Sequence, residues 1–557
     1  MNAGRSRAPD GGYDYIVVGS GAAGLVGAIS ARLAGLRPLI IEKSDRWGGT
    51  TAMSGGVLWI PANDAMMAEG VDDPIEQARA YLAGLLGPDA NERERAKAEA
   101  FLDNAPAMAR MLGGEGLQWV RNRDHPDYYP EVDGAGVGRT LESAPIDGHR
   151  LGARLATLRG VELDVPALTS DQFGPAVLAK TGIGPAMVGA GIMLRHYRDK
   201  LRGRKPLGSG RGLIASLMLI VDRLGIPVRL STALVDLTME HGAVTGVVLE
   251  HDGQRETLPA PAGVLLAAGG FAHNLALRLE LQGFTATWSN VSPDDQGDAL
   301  VAARAIGADT ELLDDCWWMP TLEVGPDTRA LALGLRALPG SIVVDHHGKR
   351  YMDEARSYMA TGRIMREHGA AEHRHWLIMD ERFLSRHIFP DLSPSDARAK
   401  MMANGTLKRG ESIAELAAAC GLDPAILSAT VERFNGFARA GVDGDFHRGA
   451  TAYDRYWADP AHRPNPSLGP IERPPFWAAV LRPGDLGTNG GLKTDAAGRV
   501  LDGAEQPIDG LYAAGNGSGS PFRRSYPGAG ATIGAAATYG YIAARHAAKR
   551  RVNAPSD

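Results

Sequence analysis

The sequence predicts an α/β protein in which a dinucleotide-binding domain, discontinuous along the chain, encloses an inserted α+β domain. Three observations support this prediction. A short apolar strand near the N-terminus runs into a glycine-rich loop and a helix. A second apolar strand within 263–271 ends in small residues, and strand–glycine patterning returns at 486–495 and 510–519. Parallel strands that carry such loops at their carboxyl ends form one nucleotide-binding sheet.

The N-terminal loop has the spacing of a Rossmann-type pyrophosphate site. A strand at 15–18 is followed by GSGAAG and then by a small-residue helix. The first glycine of this pattern permits a tight turn, the second admits backbone amides to a pyrophosphate, and the third allows close helix packing. An acidic residue ends the next strand, where it can bind a ribose hydroxyl. The predicted contacts are Gly19, Gly21, Ala22, Ala23, Gly24 and Glu42.

The residues after Glu42 indicate which dinucleotide is bound. They form a run rich in glycine, serine and threonine, which large flavoproteins use to pass backbone amides around FAD and which nicotinamide enzymes do not need. We therefore predict FAD; the alternative is an ordinary glycine-rich turn. The predicted contacts in this run are Lys43, Gly49, Thr50, Thr51, Ser54, Gly55 and Gly56. Because no second GxGxxG lies between a strand and a helix, electrons are expected to be exchanged with something other than tightly held NAD(P)H.

Later segments complete the predicted cofactor domain. The strand within 263–271 should close its sheet, and the last helix, 531–549, should point its N-terminus at the flavin. The predicted contacts are Ala268, Gly269, Asp298, Gly515, Asn516, Ala531 and Thr532. The expected domain limits are 11–305 for the first part of the FAD domain, with an insertion at about 160–207, then 306–474 for the substrate domain and 475–550 for the second FAD part.

Composition excludes several classes of function. The formal net charge of −6 gives no overall basic surface for nucleic acid. The two cysteines lie far apart and form no CxxC, so a redox disulfide, a zinc site and an iron–sulfur cluster are unsupported, and no metal is predicted. The first residues lack the apolar core of a signal peptide, and no apolar run is long enough to span a bilayer. We expect a cytoplasmic protein.

One internal segment, 174–205, departs from this picture. An uncharged run at 181–194 precedes a basic cluster at 195–205. One interpretation is an interfacial helix followed by a polybasic patch, touching the inner face of the cell membrane. The other is a buried hairpin with a solvated, charged end. The sequence leaves both open.

Three C-terminal motifs, together with the N-terminal loop, resemble the fumarate reductase/succinate dehydrogenase superfamily of FAD proteins. They are GTNGGLKTD at 487–495, GLYAAGNGSG at 510–519 and SYPGAGATIG at 525–534. Members that act on dicarboxylates bind the substrate with a histidine and two arginines. The matching positions here are Gly487, Tyr526 and Tyr358. A buried dicarboxylate would lack its charge partners at these positions.

The replacements resemble those of the 3-ketosteroid dehydrogenases, in the branch that introduces the C1–C2 double bond (Δ1). The matching motifs are HPDYYPE at 125–131, a tyrosine shortly after RYMDE at 350–354, and YPGAG at 526–530. Two residues depart from the family pattern, because Asp353 replaces an asparagine and His125 stands where an aromatic residue is common. The resemblance implies FAD-dependent dehydrogenation of the A ring of a 3-ketosteroid, with FAD held non-covalently. The implied catalytic residues are Tyr128, Tyr358, Tyr526 and Gly530.

Removing two hydrogens beside a ketone requires a carbonyl polariser, a base for the α-proton and a hydride acceptor. By resemblance, the Tyr526 hydroxyl and the Gly530 amide hold the C3 carbonyl and stabilise the developing enolate. Tyr358 takes the C2 proton, which requires its pKa to lie well below the free value of about 10. Tyr128 assists Tyr358, and the flavin accepts the C1 hydride.

Three alternatives remain at this stage. A 4-dehydrogenase acting at C4–C5 of the same ring would reuse Tyr358 and the C-terminal polarising segment. A fumarate reductase-like enzyme would respond to a dicarboxylate, and a flavin-holding protein without turnover would respond to neither substrate. The expected partners are a 3-ketosteroid and a quinone-type or artificial electron acceptor.

Overall fold

A computed structural model describes residues 12–160, 166–284, 288–325, 328–389 and 396–553 of the chain. One expected domain boundary and part of the expected insertion lie outside these ranges. They are residue 11, where the first domain was predicted to begin, and residues 161–165 of the predicted insertion.

Strands and helices are interspersed along the described chain. The strands are β1 (Tyr15–Val18), β2 (Pro38–Ile41), β3 (Val57–Trp59), β4 (Trp119–Asn122), β5 (Thr140–Ser143), β6 (Ile146–Asp147), β7 (Pro206–Leu207), β8 (Val228–Arg229), β9 (Thr232–Glu240), β10 (Ala243–His251), β11 (Gln254–Pro259), β12 (Gly263–Leu266), β13 (Thr310–Glu311), β14 (Cys316–Glu323), β15 (Arg329–Leu331), β16 (Ser341–Val344), β17 (His375–Asp380), β18 (Leu407–Gly410), β19 (Phe476–Thr488), β20 (Gly491–Leu492), β21 (Arg499–Leu501) and β22 (Pro507–Ala513).

The α-helices are α1 (Ala22–Leu33), α2 (Asp64–Ala68), α3 (Ile75–Leu86), α4 (Glu92–Gly114), α5 (Ser170–Val177), α6 (Ile183–Leu201), α7 (Ser209–Arg223), α8 (Leu275–Gln282), α9 (Asp298–Ala305), α10 (Tyr358–Glu367), α11 (Glu381–Arg386), α12 (Ala397–Ala403), α13 (Ile413–Cys420), α14 (Pro424–Ala440), α15 (Ala452–Tyr456) and α16 (Ala531–Asn553). Short 3₁₀ helices span Thr50–Met53, Gly148–Thr157, Leu335–Ala337 and Gly515–Gly517.

The first large sheet has the strand order β21-β22-β12-β1-β2-β8 and is parallel except for β21, which pairs antiparallel to β22. The glycine-rich loop leaves β1, and the side chains of β1, β2 and β12 are buried on both faces of the sheet. Near-continuous apolar strands are typical of parallel sheets covered on both sides. The predicted α/β nucleotide-binding fold is confirmed.

Helices α1 and α16 pack directly on each other over this sheet, although they lie at opposite ends of the chain. Their contact depends on glycine, because a Cβ atom on Gly540 would lie 2.3 Å from the carbonyl oxygen of Ala23. A Cβ on Gly27 would likewise come within 3.4 Å of the Gly540 carbonyl oxygen. The close approach brings the N-terminal turns of both helices to one cavity.

The second large sheet is antiparallel and has the order β15-β14-β19-β17-β16, with β18 also paired to β19. Helix α10 contacts β14 and β19 of this sheet, so the residue that begins α10 is held by the second sheet. Strand β19 lies wholly beyond the limit expected near residue 474, yet it pairs within the second sheet. The domain limits therefore stay predictions.

The 174–205 segment forms the end of α5 and the whole of α6. Helix α6 carries an apolar stripe at 183, 187, 190, 194, 197 and 201, spaced as one helix face. Ile183 is 83% exposed and Leu201 is 88% exposed, with Met187 and Leu194 also exposed between them. The buried-hairpin interpretation is therefore wrong. Among the described residues, no helix is long and apolar enough to cross a bilayer.

Candidate active site

A cavity of about 650 Å³ is lined by residues from both large sheets. All four predicted catalytic residues line it, as do all the predicted cofactor residues except Gly24 and Ala531. Segments from both ends of the chain and from its middle therefore meet at one place. Their individual roles stay predictions.

The two exceptions lie behind the cavity wall. A Cβ on Gly24 would lie 1.9 Å from the carbonyl oxygen of Gly19, so Gly24 serves the close packing of α1 on the loop. Ala531, the first residue of α16, is fully buried. Neither residue lines the cavity, although their neighbours Ala23 and Thr532 do.

The pyrophosphate end of the cavity has the chemistry that FAD requires. The first turn of α1 contains no acidic side chain, and its N-cap, Gly21, provides no side-chain cap. Its positive end is therefore left to an anionic group. The turn that carries Thr51, next to this helix end, packs backbone to backbone on the start of α7. A Cβ on Gly210 would lie 2.0 Å from the Thr51 carbonyl oxygen. These residues fit a dinucleotide.

Glu42 lines the cavity and already accepts hydrogen bonds from protein groups. The Ser20 amide and hydroxyl donate to Oε2 at 3.2 and 2.6 Å, and the Ser44 amide donates to Oε1 at 3.1 Å. A carboxylate offers about four acceptor positions, so Glu42 keeps capacity for a ribose hydroxyl. The predicted contacts Lys43 and Asp298 form an ion pair with each other at 2.5 Å.

Three tyrosines form the centre of the remaining cavity. The ring centroids of Tyr128 and Tyr358 lie 5.1 Å apart, those of Tyr358 and Tyr526 lie 5.3 Å apart, and those of Tyr128 and Tyr526 lie 5.4 Å apart. The Tyr358 hydroxyl interacts with the hydroxyls of both neighbours. The structure thus brings together three residues that the sequence motifs named from separate segments.

Backbone hydrogen bonds join the loop that carries Tyr128 to the loop that carries Tyr526. The Tyr128 amide donates to the Pro527 carbonyl at 3.0 Å, and the Tyr81 hydroxyl donates to the same oxygen at 2.7 Å. The Tyr526 amide donates to the Tyr129 hydroxyl at 3.4 Å. Tyr129, the neighbour with which Tyr128 could be confused, does not line the cavity.

Asp127 supports the same loop from beneath. It accepts hydrogen bonds from Trp59 Nε1 at 2.7 Å and from Arg139 Nη1 at 2.6 Å. Burial raises the pKa of Asp127 to about 6, and the Arg139 charge opposes this rise. Asp127 does not line the cavity, and its hydrogen bonds anchor the loop that carries Tyr128.

The predicted ketone site is formed by Tyr526 and the start of α16. The Tyr526 hydroxyl lies 3.2 Å from Thr532 Oγ1, and the amides of Gly530 and Thr532 also approach it. Gly530 has a φ of +88°, and a Cβ there would lie 2.1 Å from the Val57 carbonyl oxygen. Only glycine fits this position, so the Gly530 amide and the Tyr526 hydroxyl can converge on one oxygen atom.

Tyr358 is the first residue of α10, and the N-cap of this helix is Ser357, whose Oγ accepts from the Ala360 amide at 3.3 Å. Burial raises the pKa of Tyr358 well above its ordinary value, and the neighbouring tyrosines raise it further. The depressed pKa expected from the sequence is therefore wrong for the protein alone. Desolvation disfavours the phenolate, and the hydrogen bonds to the neighbouring hydroxyls favour the protonated phenol.

Several cavity residues were not predicted. The His125 ring packs against Tyr456 with centroids 4.4 Å apart and planes tilted by 46°. Burial lowers the pKa of His125 to about 4, so its imidazole is neutral near pH 7. The other apolar walls come from short segments with no motif of their own. They include Leu168, Phe173, Met319, Leu331, Leu333 and Trp457.

Comparisons with known proteins show which family the chain belongs to. A family model described as FAD binding domain matches residues 14–533. The chain is 41% identical over 561 aligned residues to 3-oxosteroid 1-dehydrogenase from Mycobacterium tuberculosis, covering 96% of this chain and 98% of that protein. It is 35% identical to 4-oxocyclohexanecarboxylate 2-dehydrogenase from Sinomonas cyclohexanicum, covering 96% and 93%.

A solved structure gives a comparable match. The 3-ketosteroid delta1-dehydrogenase from Sterolibacterium denitrificans, in complex with 1,4-androstadiene-3,17-dione, superposes with a TM-score of 0.90 and 35% sequence identity. The match covers 97% of this chain and 99% of that one. The similarity thus extends over both large sheets and the cavity that they share.

Proposed function

Because the chain belongs to the 3-oxosteroid 1-dehydrogenase family of FAD-dependent dehydrogenases, we propose that it introduces the C1–C2 double bond into the A ring of a 3-ketosteroid. The single observation that carries the proposal is the convergence of Tyr128, Tyr358 and Tyr526 in one cavity, beside the Gly530 amide. An FAD-binding cradle occupies the adjoining part of the same cavity.

The first task of the protein is to hold and polarise the ketone. The Tyr526 hydroxyl and the Gly530 amide donate hydrogen bonds to the C3 oxygen, which strengthen as negative charge develops on it. In a site closed to water such donors contribute far more than they would in solution. Thr532 Oγ1, 3.2 Å from the Tyr526 hydroxyl, holds that hydroxyl in place.

The second task is to remove the C2 proton. Tyr358, as its phenolate, accepts this proton, and the C2–H electron pair moves toward the polarised ketone. The Tyr128 and Tyr358 hydroxyls are hydrogen-bonded in the resting site. Once Tyr358 has ionised, the Tyr128 hydroxyl donates to the phenolate and stabilises its negative charge. Because burial raises the pKa of Tyr358, only a small fraction is ionised at neutral pH. FAD, bound non-covalently, supplies the acceptor for the hydride that leaves C1.

The shape and chemistry of the outer cavity favour a large apolar substrate. Phe173, Leu331, Leu333 and Trp457 line it, and no metal-binding cluster of His, Cys, Asp or Glu occurs among the described residues. The positions of the dicarboxylate anchors remain Gly487, Tyr526 and Tyr358, so a fumarate reductase-like activity has no charge partners there.

An anaerobic titration tests the proposed function. A 3-keto-4-ene steroid should bleach the bound flavin and yield a 1,4-diene. Oxidation of a 5α-steroid at C4–C5 alone would instead favour the 4-dehydrogenase alternative. Preferential turnover of a single-ring 4-oxocyclohexanecarboxylate would instead indicate the substrate for which the Sinomonas relative is named. Absence of bleaching by every ketone would indicate a flavin-holding protein without turnover.

We further propose that α6 contacts an anionic membrane surface. A quinone-type acceptor dissolved in that membrane would take electrons from the reduced flavin. The support is the exposed apolar stripe that includes Ile183, Met187, Leu194 and Leu201. Basic residues at 195–205 end the same helix and provide charge complementarity to anionic lipid headgroups, which are enriched on the cytoplasmic leaflet. Phe173 in the adjacent helix α5 lines the cavity, which links this face to substrate entry.

Vesicle sedimentation tests the membrane contact. The flavin-loaded protein should bind vesicles that contain phosphatidylglycerol, more weakly at high salt, and the variant Ile183→Ser/Leu194→Ser should lose binding. Val442→Ser is a matched control, because Val442 is also exposed (66%) but lies outside the stripe. The proposed contact would be contradicted if the wild-type protein did not sediment with the vesicles, or if it dimerised through α6 in solution.

A further inference from the structure

A buried arginine lies behind the tyrosine cluster. Arg336, in the 3₁₀ helix Leu335–Ala337, is only 1% exposed. Its neighbours Arg350 and Arg448 are also buried, but each pairs with the carboxylate of Glu354. Within the described parts of the chain, no carboxylate lies within ion-pairing distance of Arg336, and its Nε has no hydrogen-bond partner. A buried, unpaired guanidinium is costly and calls for an explanation.

The guanidinium binds the turn that precedes Tyr358. Arg336 Nη1 donates to the carbonyl oxygen of Arg356 at 2.6 Å and also to that of Glu354. These carbonyls belong to the segment that leads through Ser357 into α10. Tyr358 is the first residue of that helix, so the position of its ring depends on the path of this turn. One side chain thus fixes two backbone groups of the turn beside the base.

The charge of Arg336 also reaches the tyrosines. Its guanidinium is electrostatically coupled to Tyr453 and Tyr128, and to the buried carboxyl of Asp353. The Tyr453 ring lies edge-on to Tyr128 with centroids 4.9 Å apart, and its hydroxyl is buried. Burial raises the pKa of Tyr453, and the Arg336 charge opposes that rise. Arg336 therefore adds positive potential near Tyr128 and Tyr453.

We infer that Arg336 is a positioning residue for proton abstraction: it fixes the turn that presents Tyr358, and its buried charge stabilises the negative charge that the base cluster must carry. The inference rests on the proposed function. It assigns to one residue, far from the reacting carbon, both the geometry and the electrostatics of the base. Burial and the Asp454 charge raise the pKa of Asp353 to about 7, and the Arg448 charge opposes this rise. Where Asp353 is ionised, Arg336 offsets part of its negative charge.

The test compares Arg336→Met, Arg336→Lys and the matched control Arg448→Met. Arg448 is equally buried and donates to the Ser341 and Leu338 carbonyls and to Glu354, but its contacts do not include the 355–357 turn. The measurement is the rate of flavin reduction by a 3-keto-4-ene steroid as a function of pH, with flavin content and KM determined for each variant.

Arg336→Met should lower kcat at least about tenfold with little change in KM, and should move the pH profile at least about one unit toward alkaline pH. Arg336→Lys keeps the charge, but its side chain is one atom too short to replace Nη1 between the Glu354 and Arg356 carbonyls. It should lower kcat without moving the profile. Arg448→Met should lower stability and leave the profile in place. A wild-type profile in Arg336→Met, or the same shift in Arg448→Met, would overturn the inference.

Two further outcomes keep the test decisive. If Arg336→Met does not retain flavin, Arg336→Lys tests the inference instead. A wild-type kcat in Arg336→Lys would overturn the role of the Nη1 hydrogen bonds to the turn before Tyr358. If the wild-type flavin is not reduced by any ketosteroid, the proposed function itself fails, and the inference fails with it. If the steroid reduces the wild-type flavin and the Arg336 variants keep the wild-type rate and pH profile, only the inference fails.

Discussion

Tyr128 and Tyr526 stack almost face to face, with ring centroids 5.4 Å apart and an interplanar angle of 13°. The stack is built by backbone as well as side chains, because the Tyr128 amide donates to the carbonyl of Pro527. Tyr358 meets both rings at steep angles from the second sheet. The ketone site on α16 and the base on α10 are therefore held in one aromatic cluster.

The first prediction separates Tyr128 from its neighbour Tyr129. Tyr128→Phe should lower kcat by about tenfold to a hundredfold, because the phenolate formed at Tyr358 would lose the adjacent hydroxyl that can turn to donate to it. Tyr129→Phe should change kcat by less than about threefold, since Tyr129 points its hydroxyl at the Tyr526 amide instead of the cavity. Steady-state assays with equal flavin content make the comparison, and equal losses in the two variants would refute the assignment.

The second prediction concerns the backbone at Gly530. Gly530→Ala should abolish measurable activity and destabilise the fold, because the new Cβ would meet the Val57 carbonyl at 2.1 Å in a left-handed backbone conformation. Gly436→Ala is the control, since its Cβ would meet no atom within 4 Å and it lies inside α14. The control should keep full activity and gain up to about 1 kcal/mol of stability. An active, stable Gly530→Ala protein would contradict the structure of the ketone site.

The third prediction is the pH dependence of the chemical step. The active form of Tyr358 is deprotonated, and burial raises its pKa well above 10. Below that pKa the active fraction grows about tenfold per pH unit, so the rate of flavin reduction should rise steadily from pH 7 past pH 9. A plateau that begins near pH 7 would show that the base has a depressed pKa or is a different residue.

The sequence was most informative where the chemistry is local. The FAD loop from Gly19 to Gly24 carries its own turn, helix and spacing, so both its fold and its role could be predicted. The tyrosines were found only through motifs, because nothing in an isolated tyrosine indicates that Tyr128 and Tyr526 will stack. The cavity walls at Phe173 and Leu331 were missed, since each is an ordinary apolar residue until the tertiary fold places it beside the base.

The pKa of Tyr358 shows a different limit of sequence reasoning. The required chemistry suggested a depressed value, but desolvation depends on how completely the surrounding segments close over the ring, and Tyr358 is only 5% exposed. Helix α6 shows the converse case. An uncharged run is compatible with burial or with exposure, and only the packing of the insertion shows that Ile183 and Leu201 face outward.

The fourth prediction uses a buried carboxyl that anchors helix α5. Glu142 accepts hydrogen bonds from the Ser170 amide at 2.8 Å and from its hydroxyl at 2.7 Å. Burial raises the pKa of Glu142 to about 7, so the folded state holds a proton that the unfolded chain has already released. This group therefore stabilises the fold most at acidic pH, and its contribution is lost as pH rises from about 4.5 through about 7.

Glu142→Gln should remove that dependence while keeping an oxygen that accepts from Ser170. The difference in unfolding free energy between the two proteins should change by at most about 3 kcal/mol between pH 4.5 and pH 8, with the variant gaining relative to wild type as pH rises. Urea unfolding at several pH values measures it. A constant difference across this range would show that Glu142 titrates at its ordinary pKa.

The most direct test of the central claim is the single-turnover rate of flavin reduction by a 3-keto-4-ene steroid in Tyr358→Phe and Tyr526→Phe. With flavin content and steroid affinity largely retained, Tyr358→Phe should reduce its flavin about 10² to 10⁴ times more slowly than wild type. Tyr526→Phe should be about 10² to 10³ times slower. Wild-type rates in either variant would contradict the account of a ketone held by Tyr526 and a C2 proton taken by Tyr358.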